Sequence, residues 1–277
     1  MLGTIIGDIV GSRFEFHNHK RLDFEFFTEQ SFVTDDSLMS LAVAKAIMET
    51  EKKRPYISEG KPLDSEYYSL LEKMAVKYMQ KIGRRYPGSG FGGMFYNWLF
   101  SENPRPYNSF GNGAAMRISP AGFIGRSEAE VRSLAHVITG VTHNHPEGLK
   151  GAEATAVAIY LARKGRTLSE IRERINRDYY PIDFLIDDIR PTYSFDVTCQ
   201  GTVPQALSCF FESTSFENAI RLAISLGGDS DTLAAITGGV AEAYYGVPEE
   251  IKTQALSYLD DYLLAIYQEW EDFLHKF

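Results

Sequence analysis

From Asp36 to Met48 the apolar positions Leu38, Leu41, Ala42, Val43, Ala46 and Ile47 run round most of a helix surface. That spread predicts a helix buried on nearly every side. A tyrosine-rich run from Leu63 to Ile82 predicts an amphipathic helix. Three pairs have capping-box spacing and stand ahead of helical runs: Ser127 with Glu130, Thr167 with Glu170, and Thr214 with Glu217. Gly148 to Arg163 is alanine-rich, and Pro204 to Phe211 leads into Phe216 to Leu226. Leu233, Ile236, Val240 and Tyr244 then recur at helical spacing until Gly246 and Pro248 stop the run. Glu249 to Leu259 and Tyr262 to Lys276 close the chain as two further helices. Strand-like alternation is scarce, and no repeat or linker separates one part from another. The pattern therefore predicts an all-α fold in a single compact domain, residues 1–277.

Composition changes this picture little. The chain has 277 residues, 44% of them hydrophobic, enough to bury a large core without disulfides. With 28 basic against 37 acidic residues the net charge is −9, which argues against a phosphate-tracking nucleic-acid surface. Cys199 and Cys209 are the only cysteines, and no apolar run is long enough to span a bilayer, so no membrane association and a cytoplasmic location are expected.

The chemistry is concentrated in two acidic clusters nearly 200 residues apart, Thr34-Asp35-Asp36-Ser37 and Asp229-Ser230-Asp231-Thr232. A single aspartate before a helix is readily explained as an N-cap. Adjacent carboxylates are not, because like charges that close cost stability unless a cation offsets them. Carboxylates and hydroxyls are hard oxygen donors, suited to magnesium or manganese rather than zinc. If the fold apposes the two helix starts, two adjacent sites with shared carboxylates result.

Other segments add candidates. Gly3, Gly7 and Gly11 recur on a helical pitch and would allow close approach of another helix. Glu15 follows that helix and is a candidate carboxylate at a pocket mouth. Gly111 and Gly113, flanking Asn112, can adopt positive φ and turn amides inward as an anion nest for a phosphate. Phe110 is a candidate stacking ring. His143 and His145 at i, i+2 spacing, without a cysteine partner, make a poor zinc pair and suit hydrogen bonding instead.

In order, Gly3-Thr4-Ile5-Ile6-Gly7-Asp8 with Glu15, Val33-Thr34-Asp35-Asp36-Ser37, Gly111-Asn112-Gly113-Ala114-Ala115-Met116-Arg117, Thr142-His143 and Leu226-Gly227-Gly228-Asp229-Ser230-Asp231-Thr232 resemble the ADP-ribosylglycohydrolase family, relatives of dinitrogenase reductase-activating glycohydrolase. Ser37 stands where the family often has threonine, and both carry a hydroxyl. The resemblance implies a compact all-α fold with two Mg2+ (or Mn2+) ions held by Thr34, Asp35, Asp36, Asp229, Asp231 and Thr232. It also implies that Ser109, Phe110, Gly111, Asn112 and His143 contact ADP-ribose and that Glu15 lies on a loop beside the metals. The expected reaction is hydrolysis of the C1″ bond between ADP-ribose and an acceptor on a protein or small molecule, with Asp36 or Asp229 as base and Glu15 gating access or assisting the leaving group. Two other readings are a dinuclear-metal hydrolase of another nucleotide or phosphoester, and a non-catalytic ADP-ribose-binding protein. The acceptor itself is not legible.

Overall fold

A computed structural model describes residues 1–276; Phe277, the last residue of the expected domain, lies outside them. The first helix, α1 (Leu2–Gly11), is buried along its whole length. A helix buried on every side sits at the centre of a bundle, and this one lies along another buried helix near the far end of the chain.

Between them come α2 (Asp35–Lys53), α3 (Ser65–Gly83), α4 (Gly93–Phe100), α5 (Gly113–Met116), α6 (Ser119–Ile124) and α7 (Glu128–Gly140). There follow α8 (Pro146–Arg163), α9 (Leu168–Asp178), α10 (Ile186–Ile189), α11 (Cys199–Glu212) and α12 (Phe216–Ser225). The partner of α1 is α13 (Ser230–Tyr245), and α14 (Glu249–Leu256) and α15 (Asp261–Leu274) close the fold. No β-strand forms among the described residues, where pairing is confined to an isolated bridge between Gly111 and Thr198. The fold is all-α.

The α1–α13 seam is made by glycine. A Cβ on Gly3 would lie 2.1 Å from the Gly238 carbonyl oxygen, and one on Gly7 would lie 2.1 Å from that of Ala234. At Gly11 the obstruction is the Asp231 backbone, 2.5 Å from the Cα. The expected close approach is therefore real, and it sets the α1 acid Asp8 against the start of α13. Around this pair pack α8, α11 and α12, while α2 joins α1 to α3 and α15.

The expected helices are present, with ends shifted by a few residues. Of the three capping boxes only Thr167–Glu170 closes in both directions. Ser127 accepts the Glu130 amide, but the Glu130 carboxylate turns to Arg126 instead. The third is displaced by one residue: Ser215 accepts the Asn218 amide, and the Asn218 side chain accepts the Thr214 amide. Glu217 is drawn off into an ion pair with Arg221.

Candidate active site

The two acidic motifs meet where α2 and α13 begin. Thr34 is the N-cap of α2 and Asp229 that of α13, yet neither side chain caps its helix. The capping is remote. Asp8, fully buried on α1, accepts the amides of Thr34 (3.0 Å) and Ser37 (3.1 Å) and the Thr34 hydroxyl. One α1 carboxylate thus ties down the first turn of α2, satisfying donors that every helix start leaves open, and frees Asp35 and Asp36 from that duty.

The start of α13 is held just as firmly. Gly227 and Gly228 both have positive φ (68° and 73°), which glycine adopts without steric cost. The Asn18 side chain accepts the Gly228 amide at 2.7 Å, and the Lys20 ammonium donates to the carbonyls of Leu226 and Tyr193. The segment that carries His17 and His19 is therefore a clamp on the Gly-Gly turn preceding Asp229.

Two carboxylate triads result, in each of which three oxygens lie within 4.8 Å of one another: Asp8, Asp36 and Asp231, and Glu15, Asp229 and Asp231. Asp231 is common to both. Thr34 Oγ1 stands 3.4 Å from Asp231 and 3.5 Å from Asp36, and the Thr232 hydroxyl donates to Asp36 at 3.3 Å. Asp35 is outside both triads. Adjacent helical residues point about 100° apart, and Asp35 faces the cleft, half-buried, with Oδ1 against Gly90.

Burial and mutual repulsion raise these acids together. Burial lifts Asp8 to about 6, while Glu15, half-buried and facing Asp229 and Asp8, rises to about 7. Asp35, Asp36 and Asp231 are pushed well above the carboxylate range, first by burial and then by neighbouring charge. Burial raises Asp229 too, opposed by hydrogen bonds first with Asp231, then from the Asn112 amide at 2.7 Å and from Thr232. Asp36 Oδ1 is buried without a hydrogen-bond partner among the described residues. An orphaned buried oxygen within a set of hard donors is what a divalent cation would satisfy, so the residues fit such an ion.

Above the triads opens a cleft of about 360 Å³. Glu15, Asp35, Asp36, Asp229, Asp231 and Thr232 line its acidic part. The rest of the lining includes Tyr107, Ser109, Gly111, Asn112, Arg117 and His143, with Phe195 and Val197.

A sequence model of the ADP-ribosylglycohydrolase family matches residues 1–275. The chain belongs to this family. Among similar members of known name, ADP-ribosylhydrolase ARH3 of Homo sapiens is 25% identical over 96% of this chain and 90% of its own length. ADP-ribosylarginine hydrolase Tri1 of Pseudomonas putida is 28% identical over 93% and 73%. The ADP-ribosyl-[dinitrogen reductase] glycohydrolase of Rhodospirillum rubrum is 25% identical over 94% and 88%. A solved ADP-ribosylglycohydrolase-related protein complex has the same fold, with a TM-score of 0.62 at 22% identity over 96% of this chain and 95% of that one.

Within this glycohydrolase fold the expected site residues are disposed unevenly. Ser109 is buried with its hydroxyl accepting the Gly111 amide, and the Asn112 side chain is committed to Asp229 and to the Thr202 hydroxyl. Gly111 and Gly113 do not have positive φ, and no anion nest forms. The amides of Asn112, Ala114 and Ala115 are already bonded to the carbonyls of Val197, Gly111 and Asn112. These glycines make room instead: a Cβ on either would stand 3.4–3.5 Å from His143 Nε2. Phe110 does not line the cleft. Its ring packs on His145, centroids 5.2 Å apart, and the rings that face the cavity belong to Tyr107, Phe95 and Phe195.

Asp8 and Arg117 were given no role by sequence reasoning. Each is an ionisable residue within an apolar run, a pattern that marks burial but names no partner. Both side chains are buried, where an unpartnered charge is costly.

Proposed function

We propose that the chain hydrolyses the C1″ glycosidic bond of ADP-ribose joined to an acceptor, releasing free ADP-ribose, and that two divalent cations, Mg2+ or Mn2+, serve the reaction. The observation that carries this reading is the pair of triads sharing Asp231 on the floor of the cleft, in a chain matched along nearly its whole length by the glycohydrolase family. Asp8, Asp36 and Asp231 would hold one ion and Glu15, Asp229 and Asp231 the other, with Thr34, Asp35 and Thr232 as further oxygen donors at the edges. Ions of this kind orient hydroxyl-bearing ligands and make water more acidic.

The side chains supply the rest. Asn112 fixes one oxygen of Asp229. Glu15, half-buried at the cleft and raised to about 7 while no cation offsets its neighbours, stands where it could gate access or assist departure of the acceptor. The surrounding carboxylates stabilise positive charge developing on the ribose as the bond breaks. Residues 1–277 are read as one functional unit, with an ADP-ribosylated protein or small molecule as substrate.

Release of ADP-ribose from arginine-linked, serine-linked and O-acyl substrates, assayed with and without Mg2+ or Mn2+, tests the proposal. Metal-dependent free ADP-ribose is the expected product. AMP and ribose phosphate instead, or no release from a metal-loaded protein, would overturn it.

A further inference from the structure

Arg117 is 1% exposed and forms no ion pair among the described residues, an expensive condition for a guanidinium. Its Nη2 donates to the Thr142 hydroxyl and lies 3.0 Å from His143 Nδ1, while the guanidinium stacks over Phe95 at 5.0 Å. Nε, equally buried, has no partner among the described residues.

We propose that Arg117 is a positioning residue that locks His143 in the neutral tautomer protonated at Nε2, so that His143 offers the cleft a permanent hydrogen-bond donor and cannot act as a base there. The argument is one of donor count. A guanidinium only donates, so the ring nitrogen facing it must carry a lone pair, and that nitrogen is Nδ1. The Thr142 hydroxyl, 2.8 Å from the same nitrogen, accepts from Arg117 and can direct its own proton to Nδ1. The proton of neutral imidazole is then confined to Nε2. That atom faces Gly111 and Gly113, whose missing side chains leave it accessible from the cleft.

Charging the ring would require a second proton on Nδ1, directly against Arg117. Burial and that neighbouring charge both hold His143 well below the ordinary histidine range. Tyr107, the other titratable group packed on the ring at 5.7 Å between centroids, contributes no acid at neutral pH. The ligand atom that meets Nε2 must be an acceptor, a hydroxyl or phosphate oxygen. Naming that ligand ADP-ribose rests on the proposed glycohydrolase reading; the tautomer does not.

Long-range proton–nitrogen NMR correlation on protein labelled with 15N-histidine tests the lock. The expected spectrum shows His143 protonated at Nε2 only, unchanged between about pH 5 and pH 8, the range in which an ordinary histidine titrates. A ring protonated at Nδ1, or an imidazolium, would overturn the proposal. Arg117→Met should release the ring into mixed tautomers and let it titrate; retention of the lock in a folded Arg117→Met would exclude the role of Arg117. Should that variant not fold, through-bond coupling between an Arg117 Nη and His143 Nδ1 in the wild type decides, present if the bond is made and absent if not. ADP-ribose titration separates the two readings. His143→Gln, which keeps a donor near Nε2, should bind within about threefold of wild type, and His143→Leu about tenfold more weakly. Equal affinities for both would remove the donor role, whereas no binding by wild type with the lock intact would count against the glycohydrolase reading alone.

Discussion

Gly7→Ala perturbs the site without touching a carboxylate. The added methyl would stand 2.1 Å from the Ala234 carbonyl oxygen and 2.2 Å from its carbon, both backbone atoms of α13, whereas ordinary contact begins near 3.4 Å. No rotamer relieves this, so α1 and α13 must part by more than 1 Å. Overpacking of this kind costs about 3 kcal/mol or more when backbone has to move, equivalent to a melting temperature lower by roughly 6–12 °C. The same displacement carries Asp8 away from Asp36 and Asp231. Binding of Mg2+ or Mn2+ should weaken by at least about tenfold, the loss seen when metal ligands lose their orientation. Gly140→Ala is the control, since nothing lies within 4 Å of its Cβ at the end of α7 and alanine favours helix by up to about 1 kcal/mol. Calorimetry or dye-monitored melting, with metal titration of each variant, reads both effects. A Gly7→Ala protein that melts with wild type and binds metal equally well would refute the glycine seam as the device that assembles the site.

Asp231→Asn should separate stability from metal binding. It removes the charge shared by both triads, so the chelator-treated protein gains on the order of 1 kcal/mol while metal affinity and activity collapse; a destabilised apo-variant would contradict the repulsion argument. Folded Asp8 (about 6) and Glu15 (about 7) lie above their ordinary 3.8 and 4.5. Between those limits the native state binds more protons than the unfolded chain, so these groups make stability fall as pH rises. Melting temperature against pH in chelator should show that decline from about pH 5 to pH 7.5, and saturating Mg2+ should flatten it; an unchanged slope with Mg2+ would detach the cation from these acids. Asn112→Ala leaves Asp229 and the Thr202 hydroxyl without their amide donor; metal-dependent activity should drop about 10–100-fold, and the lost buried hydrogen bonds should cost about 1–3 kcal/mol of stability. Wild-type kinetics in that variant would mean that the orientation of Asp229 is irrelevant.

The helices were legible because buried helices repeat their apolar positions in sequence. The glycine spacing of α1 likewise foretold a close partner, though not that the partner would be α13, since a glycine names the gap and not what fills it. Of the site, Asp36, Asp229 and Asp231 announced themselves as like charges too close to be caps. Asp8 did not, because a lone acid in an apolar helix gives no sign of the helix start it will cap from outside. The Gly111–Gly113 nest misled for a related reason. The bridge from Gly111 to Thr198 and the amide bonds around it are long-range contacts, so they had already used the groups that local sequence left apparently free. Arg117 was hidden in the same way, its partners Thr142 and His143 lying 25 and 26 residues further on.

The helix ends also fix how much charge the fold can tolerate by itself. Both α2 and α13 begin at the carboxylates, and each helix start carries roughly half a positive charge, felt within its first turn. Together they offset about one of the six charges that Asp8, Glu15, Asp35, Asp36, Asp229 and Asp231 would carry. A buried guanidinium, Arg117, acts on Asp35 without forming an ion pair; the rest of the charge has to be met by protons or by cations. Protons suffice in acid and leave a protonated site with no free carboxylate to serve as base. Towards neutrality cations at the proposed metal site would take over from protons, so metal binding, site ionisation and fold stability would form one linked equilibrium. A divalent ion that enters the triads must displace protons as it binds, and the number released should fall as pH rises past the value near 7 at Glu15.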